Sequence, residues 1–199
     1  MTKRFLAVLR RERHGGTIVH VPSELVAELG PGNPYLDIHY RFAEAEARRR
    51  FFEVTVGILN RLALVHGQSN AGPVGWHDFQ TATDEELAAL DEALFEFAYL
   101  VARLAAVDGA VVLDKRLELL GFGAEISGRL PDVRVVGRAL DLEEESVADE
   151  PAANEGTRHR SAYRLVGALP GSVAIVVSQD GGVRFVAATD GRVTYWELE

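Results

Sequence analysis

Arg158, His159, Arg160 and Arg164 crowd three guanidiniums and an imidazole into seven positions of a chain whose formal net charge is -9. The stretch just before them, residues 141–155, is acidic and carries Glu143, Glu144, Glu145, Asp149 and Glu150. If Gly156 and Thr157 lead into a helix, these cations sit in or just before its first turns. Positive charge there opposes the helix macrodipole, which favours anions at that end. Such a segment is locally frustrated unless an anion binds, and guanidinium forks with free backbone N–H groups match the oxygens of a polyphosphate. The alternative is that the arginines pair with Glu143–Glu145 and Asp149–Glu150. His159 taken alone reads as a structural or hydrogen-bonding histidine.

A second spot is Asp108-Gly109-Ala110, where a long helical pattern ends and an apolar strand begins. A carboxylate in the last turn of a helix again has the wrong sign for the dipole. Asp108 can be an ordinary turn aspartate with Gly109 as the helix C-cap. It can also be a metal-binding or hydroxyl-activating carboxylate beside a glycine that permits close approach. Ser178, ending the apolar run 173–177, either presents its hydroxyl to a ligand or opens a hairpin turn. His14, His20, His39, His66 and His77 lack metal-ligand spacing. The glycines at 30–32 and 121–123 form no phosphate-loop or dinucleotide fingerprint, and no serine has the setting of a hydrolase elbow.

The elements that must hold these residues follow from periodicity and turn chemistry. Helices are expected over 3–13, 22–30, 43–65, 81–107 (capped at Thr83) and 161–169, and loops over 66–78 and 141–155. Strands are expected over 17–21, 35–42, 110–114, 117–126, 133–137, 172–178, 182–188 and 192–198, with a hairpin around residues 114–116. The fold class is α/β: a mixed β-sheet of about seven strands flanked by helices, with a helical insert before the Asp-Gly-Ala motif. A single domain over 1–199 is expected, divided into residues 1–42, the insert 43–107 and a motif-bearing core 108–199.

Composition narrows the function classes. The 30 acidic against 21 basic residues argue against a nucleic-acid coat or a membrane-surface binder. With no cysteine, disulfides, thiolate nucleophiles and cysteine-ligated zinc are excluded. No apolar run approaches the ~20 residues of a membrane span. The first residues lack the pattern of a signal peptide, so a cytoplasmic protein with neither nucleic-acid nor membrane partners is expected.

Taken in order, "DGAVVLD", "LLGFGAEI", "EGTRHRSA" and "AIVVSQDGGVRFV" resemble the diadenylate cyclase (DAC) domain family, which makes cyclic di-AMP. The resemblance covers about residues 98–190. It implies that Asp108 holds a divalent metal, Mg2+ or Mn2+, and helps activate a ribose 3′-hydroxyl. Gly109 and Ala110 would lie close to the nucleotide, and Ile126 would line the adenine pocket. Thr157, Arg158, His159 and Arg160, after Gly156, would bind phosphates; Ser178 would contact the triphosphate tail, with Gln179 at a family glutamine or glutamate position. Two such domains face each other in the family, each with one ATP, so a homodimer is implied. The long insert, and "DGG" where active members carry charged residues, resemble instead a nucleotide-sensing branch that would bind ATP, cyclic di-AMP or a related nucleotide without turnover.

Overall fold

A computed structural model of the chain describes residues 15–67 and 72–198. The helix expected over 3–13 lies outside the described residues. The β-branched run after Gly15 forms β1 (Gly16–Val21), and a 3-10 segment at Ser23–Leu29 stands where an α-helix was expected. Next come β2 (Leu36–Arg41), α1 (Ala45–Gly67), α2 (Trp76–Thr81) and α3 (Glu85–Ala105). After them run β3 (Ala110–Asp114), β4 (Leu119–Ile126), β5 (Val135–Ala139) and β6 (Val147–Pro151). The chain then forms α4 (Thr157–Ala168), β7 (Val173–Val177), β8 (Val183–Thr189) and β9 (Arg192–Leu198).

The fold is mixed α/β, with nine strands among the described residues in the order β2-β4-β3-β1-β7-β8-β9-β5-β6. β1 and β3 run parallel, so their connection must cross over the sheet, and α1–α3 make that crossover. β7, β8 and β9 form an antiparallel meander.

Four boundaries differ from the sequence reading. The acidic loop contains β6, which pairs with β5 although it carries Asp149 and Glu150; as an edge strand it needs only one partner and little apolar content. The helix expected from 81 is split, because the Asp84 side chain rather than Thr83 caps α3 by accepting the Leu87 N–H at 3.0 Å. Part of the loop expected over 66–78 is helical, since α2 starts at Trp76. Finally, α4 starts at Thr157 rather than 161, so Arg158, His159 and Arg160 are helical.

Each face of the sheet has its own cover. Ile18, Val111, Leu113, Ile175 and Val177 point towards α1 and α3. α3 meets them with Leu87, Leu94, Phe97, Val101 and Ala105, one helical stripe. Val19, Val21 and Val112 point the other way, against Leu165 and Leu169 of α4. Ala162, Tyr163 and Val166 of α4 pack on Val176, Val186 and Tyr195. Each large buried side chain contributes about 1.5–3 kcal/mol. α4 is therefore anchored by its later turns, while Thr157, Arg158 and Arg160 of its first turn remain exposed. No helix among the described residues is long and apolar enough to cross a membrane.

Candidate functional site

One row of paired residues crosses six strands beneath the start of α4. Ala124 of β4 pairs with Ala110 of β3, which pairs with Thr17 of β1. Thr17 pairs with Val176 of β7, Val176 with Arg184 of β8, and Arg184 with Glu197 of β9. Because directly paired residues point to the same face, this row is a floor, small and uncharged at one end and charged at the other. Two cavities lie over it. The first, ≈ 280 Å³, is lined by Thr17, Ala110, Ala124 and Ile126 below and by Thr157, Arg158 and Ser161 of α4. The second, ≈ 650 Å³, is lined by Gly156 to His159, Ser178, Gln179, Arg184 and Glu197. Asp108, Thr157 and Arg158 line both, so the two cavities form one cleft.

Close backbone contact shapes the Asp108 side. Gly109 has φ +106, and a Cβ there would stand 2.6 Å from the backbone carbon of Gly123. Its role is this approach to β4, not capping α3, whose C-cap is Ala106, bonding back to Ala102 and Arg103. The Asp108 carboxylate is exposed and makes no hydrogen bond or ion pair with a described residue. No cluster of three metal-ligating side chains occurs among the described residues. A lone unpaired carboxylate still fits Mg2+ or Mn2+ if phosphate oxygens supply further ligands, the usual arrangement for Mg2+ at nucleotide sites.

The α4 start leaves donors that an anion could accept from. Its first intrahelical bond is Arg160 N–H to the Gly156 carbonyl, 3.1 Å, so the N–H groups of Thr157, Arg158 and His159 have no helical acceptor. The first turn carries no acidic residue, and Gly156 offers no side-chain cap. The arginines do not pair with the acidic segment. Asp149 pairs with Arg192, Glu150 with Arg138 at 3.8 Å and with the Tyr195 hydroxyl at 2.6 Å. Arg164 pairs with Asp132 at 3.1 Å, and neither Arg158 nor Arg160 has a partner among the described residues. Burial and the Arg184 charge hold His159 below its ordinary pKa, against the opposing pull of Glu155, Asp180 and Glu197. It is therefore a neutral imidazole near pH 7.

Ten of the eleven residues singled out in the sequence line the cleft: Asp108, Gly109, Ala110, Ile126, Gly156, Thr157, Arg158, His159, Ser178 and Gln179. Arg160 lines neither cavity and is exposed. The Ser178 hydroxyl is turned into its own hairpin, towards the Asp180 carboxylate and the Gly182 carbonyl (3.1 Å). That bond is the main reason Asp180 ionises below the usual carboxylate range.

Sequence reasoning missed Gly15, Thr17, Glu155, Arg184 and Glu197. Gly15 has φ +61, and a Cβ on it would stand 2.7 Å from the Val177 carbonyl and 3.0 Å from Arg158 Nη1. A glycine pair opening a β-branched strand was the available signal. Arg184 salt-bridges Glu155 (2.7 Å) and Glu197 (3.1 Å), donates to the Tyr163 hydroxyl (3.2 Å), and lies 4.2 Å over the Tyr195 ring. Burial opposes its charge, but the Glu155 and Tyr163 bonds outweigh that and raise its pKa. Its signal was an arginine at an inward position of an alternating strand, which demands buried acidic partners. No family model matches the chain, and no curated protein is significantly similar to it.

Proposed function

We propose that this chain is a DAC-type nucleotide-binding domain that condenses two ATP molecules into cyclic di-AMP, releasing pyrophosphate, with two copies face to face. The observation that carries the reading is the single cleft over one row of the sheet. It joins the unpaired Asp108 carboxylate to the unpaired Arg158 guanidinium and the free N–H groups of α4. A purine nucleoside would lie at the end floored by Ala110, Ala124 and Thr17 and edged by Asp108 and Glu125, and its phosphates would then run under α4. Arg158 and the N–H groups of Thr157, Arg158 and His159 would hold the phosphate oxygens and neutralise charge that builds during transfer. His159, being neutral, can donate one hydrogen bond without adding charge. Asp108 would hold Mg2+ or Mn2+, which would supply charge neutralisation and lower the pKa of the attacking 3′-hydroxyl. Each copy has one such cleft, and joining two nucleotides requires a second.

A sensor that binds the nucleotide without turnover is the second reading, and the Ser178–Asp180 turn favours it. That turn engages the Ser178 hydroxyl expected to meet the triphosphate tail and adds a carboxylate to the phosphate end of the cleft. Asp108, Glu155, Asp180 and Glu197 then line the second cavity against Arg158 and Arg184. Incubating concentrated protein with ATP and Mn2+ or Mg2+, followed by mass spectrometry, separates the readings. Cyclic di-AMP that disappears in Asp108→Asn while ATP binding persists supports the cyclase. Binding without product supports the sensor, and absence of both overturns the nucleotide site.

A further inference from the structure

The second guanidinium that lines the phosphate end of the cleft is Arg184, not Arg160. It lies in the same paired row as Ala110, three strand spacings away, about 14 Å at ~4.8 Å per strand. Arg158 lies between these ends, since it lines both cavities. A ligand with its nucleoside over Ala110 and its first phosphate at Arg158 therefore extends its distal phosphates towards Arg184.

Arg184 is built to stay in place. Its side chain is 17% exposed, and the Tyr195 ring lies beneath it. Of its two carboxylates, Glu155 is short-range and equally enclosed, at 2.7 Å and 18% exposed. Glu197 is the looser hold: it is 42% exposed, and Arg138 also reaches it, at 3.5 Å. A phosphate entering the cavity can take the place of Glu197 on Arg184, leaving Glu197 to Arg138. Glu155 meanwhile keeps the guanidinium anchored beside the α4 start.

We propose that Arg184 is the residue that reads the distal phosphates and so sets how strongly the cleft prefers a nucleoside triphosphate over a monophosphate. This rests on the nucleotide reading given above. The preference is carried by exchange of one carboxylate for a phosphate on a fixed guanidinium fork.

The test is calorimetric titration of AMP, ADP, ATP and inorganic tripolyphosphate, each with excess Mg2+, into the wild type, Arg184→Gln, Arg184→Lys and Glu197→Gln. In the wild type, affinity should rise from AMP to ATP. In Arg184→Gln that gain should shrink by roughly tenfold to a hundredfold, the worth of a charge-assisted hydrogen-bond pair, with AMP affinity nearly unchanged. Arg184→Lys should recover part of the gain, and Glu197→Gln should steepen it. Should Arg184→Gln fail to fold, Glu197→Gln alone decides the matter. Equal weakening of all three nucleotides in Arg184→Gln would mean a merely structural role and overturn the proposal, as would an unaltered gain. Tripolyphosphate bound by the wild type and lost in Arg184→Gln, with no nucleotide bound by either, would sustain Arg184 as a polyphosphate reader while overturning the nucleotide reading.

Discussion

Arg158 and Arg184 face the same cleft and are held in opposite ways. Arg158 is exposed on the first turn of α4 and has no partner among the described residues. Arg184 is enclosed, bound by Glu155 and Glu197, bonded to Tyr163 and seated on Tyr195. The first contributes nothing visible to the fold and opposes the dipole of its own helix, so a ligand is what it can stabilise. The second ties the segment before α4 to β8 and β9, so it supports the fold whether or not a ligand is present. One cleft thus holds a charge with no partner among the described residues beside a charge that the fold already uses.

The largest effect should come from removing the first of these charges. Arg158→Ala should weaken nucleotide binding by about a hundredfold. Its thermal midpoint should stay within a degree or two of wild type, because no ion pair with a described residue is lost; titration calorimetry and a melting curve on the same sample check both. A fall in midpoint as large as the loss of binding would erase the distinction. Arg184→Ala should do the reverse at the level of the fold. It takes the arginine from Glu155 and leaves Glu197 to Arg138 alone, and should cost about 2 kcal/mol in a denaturant titration, discounted from a fully buried pair because both carboxylates reach solvent. Next comes Gly15→Ala, which forces a side chain into φ +61 and against the Val177 carbonyl and Arg158. It should cost about 1–3 kcal/mol and also weaken binding, since the added methyl displaces the free guanidinium.

The contrast explains what could be read in advance. The Thr157–His159 segment was legible because its frustration is local: charge of the wrong sign at a helix start shows in a ten-residue window, whereas Asp108 stands two residues beyond the Ala106 cap of α3 and not in its last turn. The hairpins β7–β8 and β8–β9 were legible for the same reason, through alternation and Asp-Gly turns. Arg184 satisfies its charge with Glu155 and Glu197, 29 residues before it and 13 after it (184 − 155 and 197 − 184), and no window spans both. The row Ala124–Ala110–Thr17–Val176–Arg184–Glu197 is likewise a product of strand order, which periodicity does not encode. β6 was hidden because Val147 and Ala148 stand among Asp149, Glu150 and the glutamates before them, with no alternating apolar run, and the strand is held by backbone pairing to β5. The strand count among the described residues, nine rather than about seven, follows in part from that.

The smallest expected effect concerns the imidazole between the two arginines. His159 is held below 6.5 by burial and by Arg184, while Glu155, 3.9 Å from Nδ1, Asp180 and Glu197 pull the other way. Between that lowered value and 6.5 the unfolded chain binds more protons than the folded one, so stability rises with pH across the window and is lost on acidification through it. His20 is also lowered by burial and adds to the same slope, so the His159 share must be isolated. His159→Gln should flatten part of the stability loss as the pH falls below 6.5, without altering stability at pH 7.5 by more than a few tenths of a kcal/mol. In Arg184→Gln the imidazole loses its cationic neighbour but keeps its three carboxylates, so its titration by histidine NMR should move up. An unmoved titration would mean that burial alone sets it, and that Arg184 does not reach electrostatically into the α4 start.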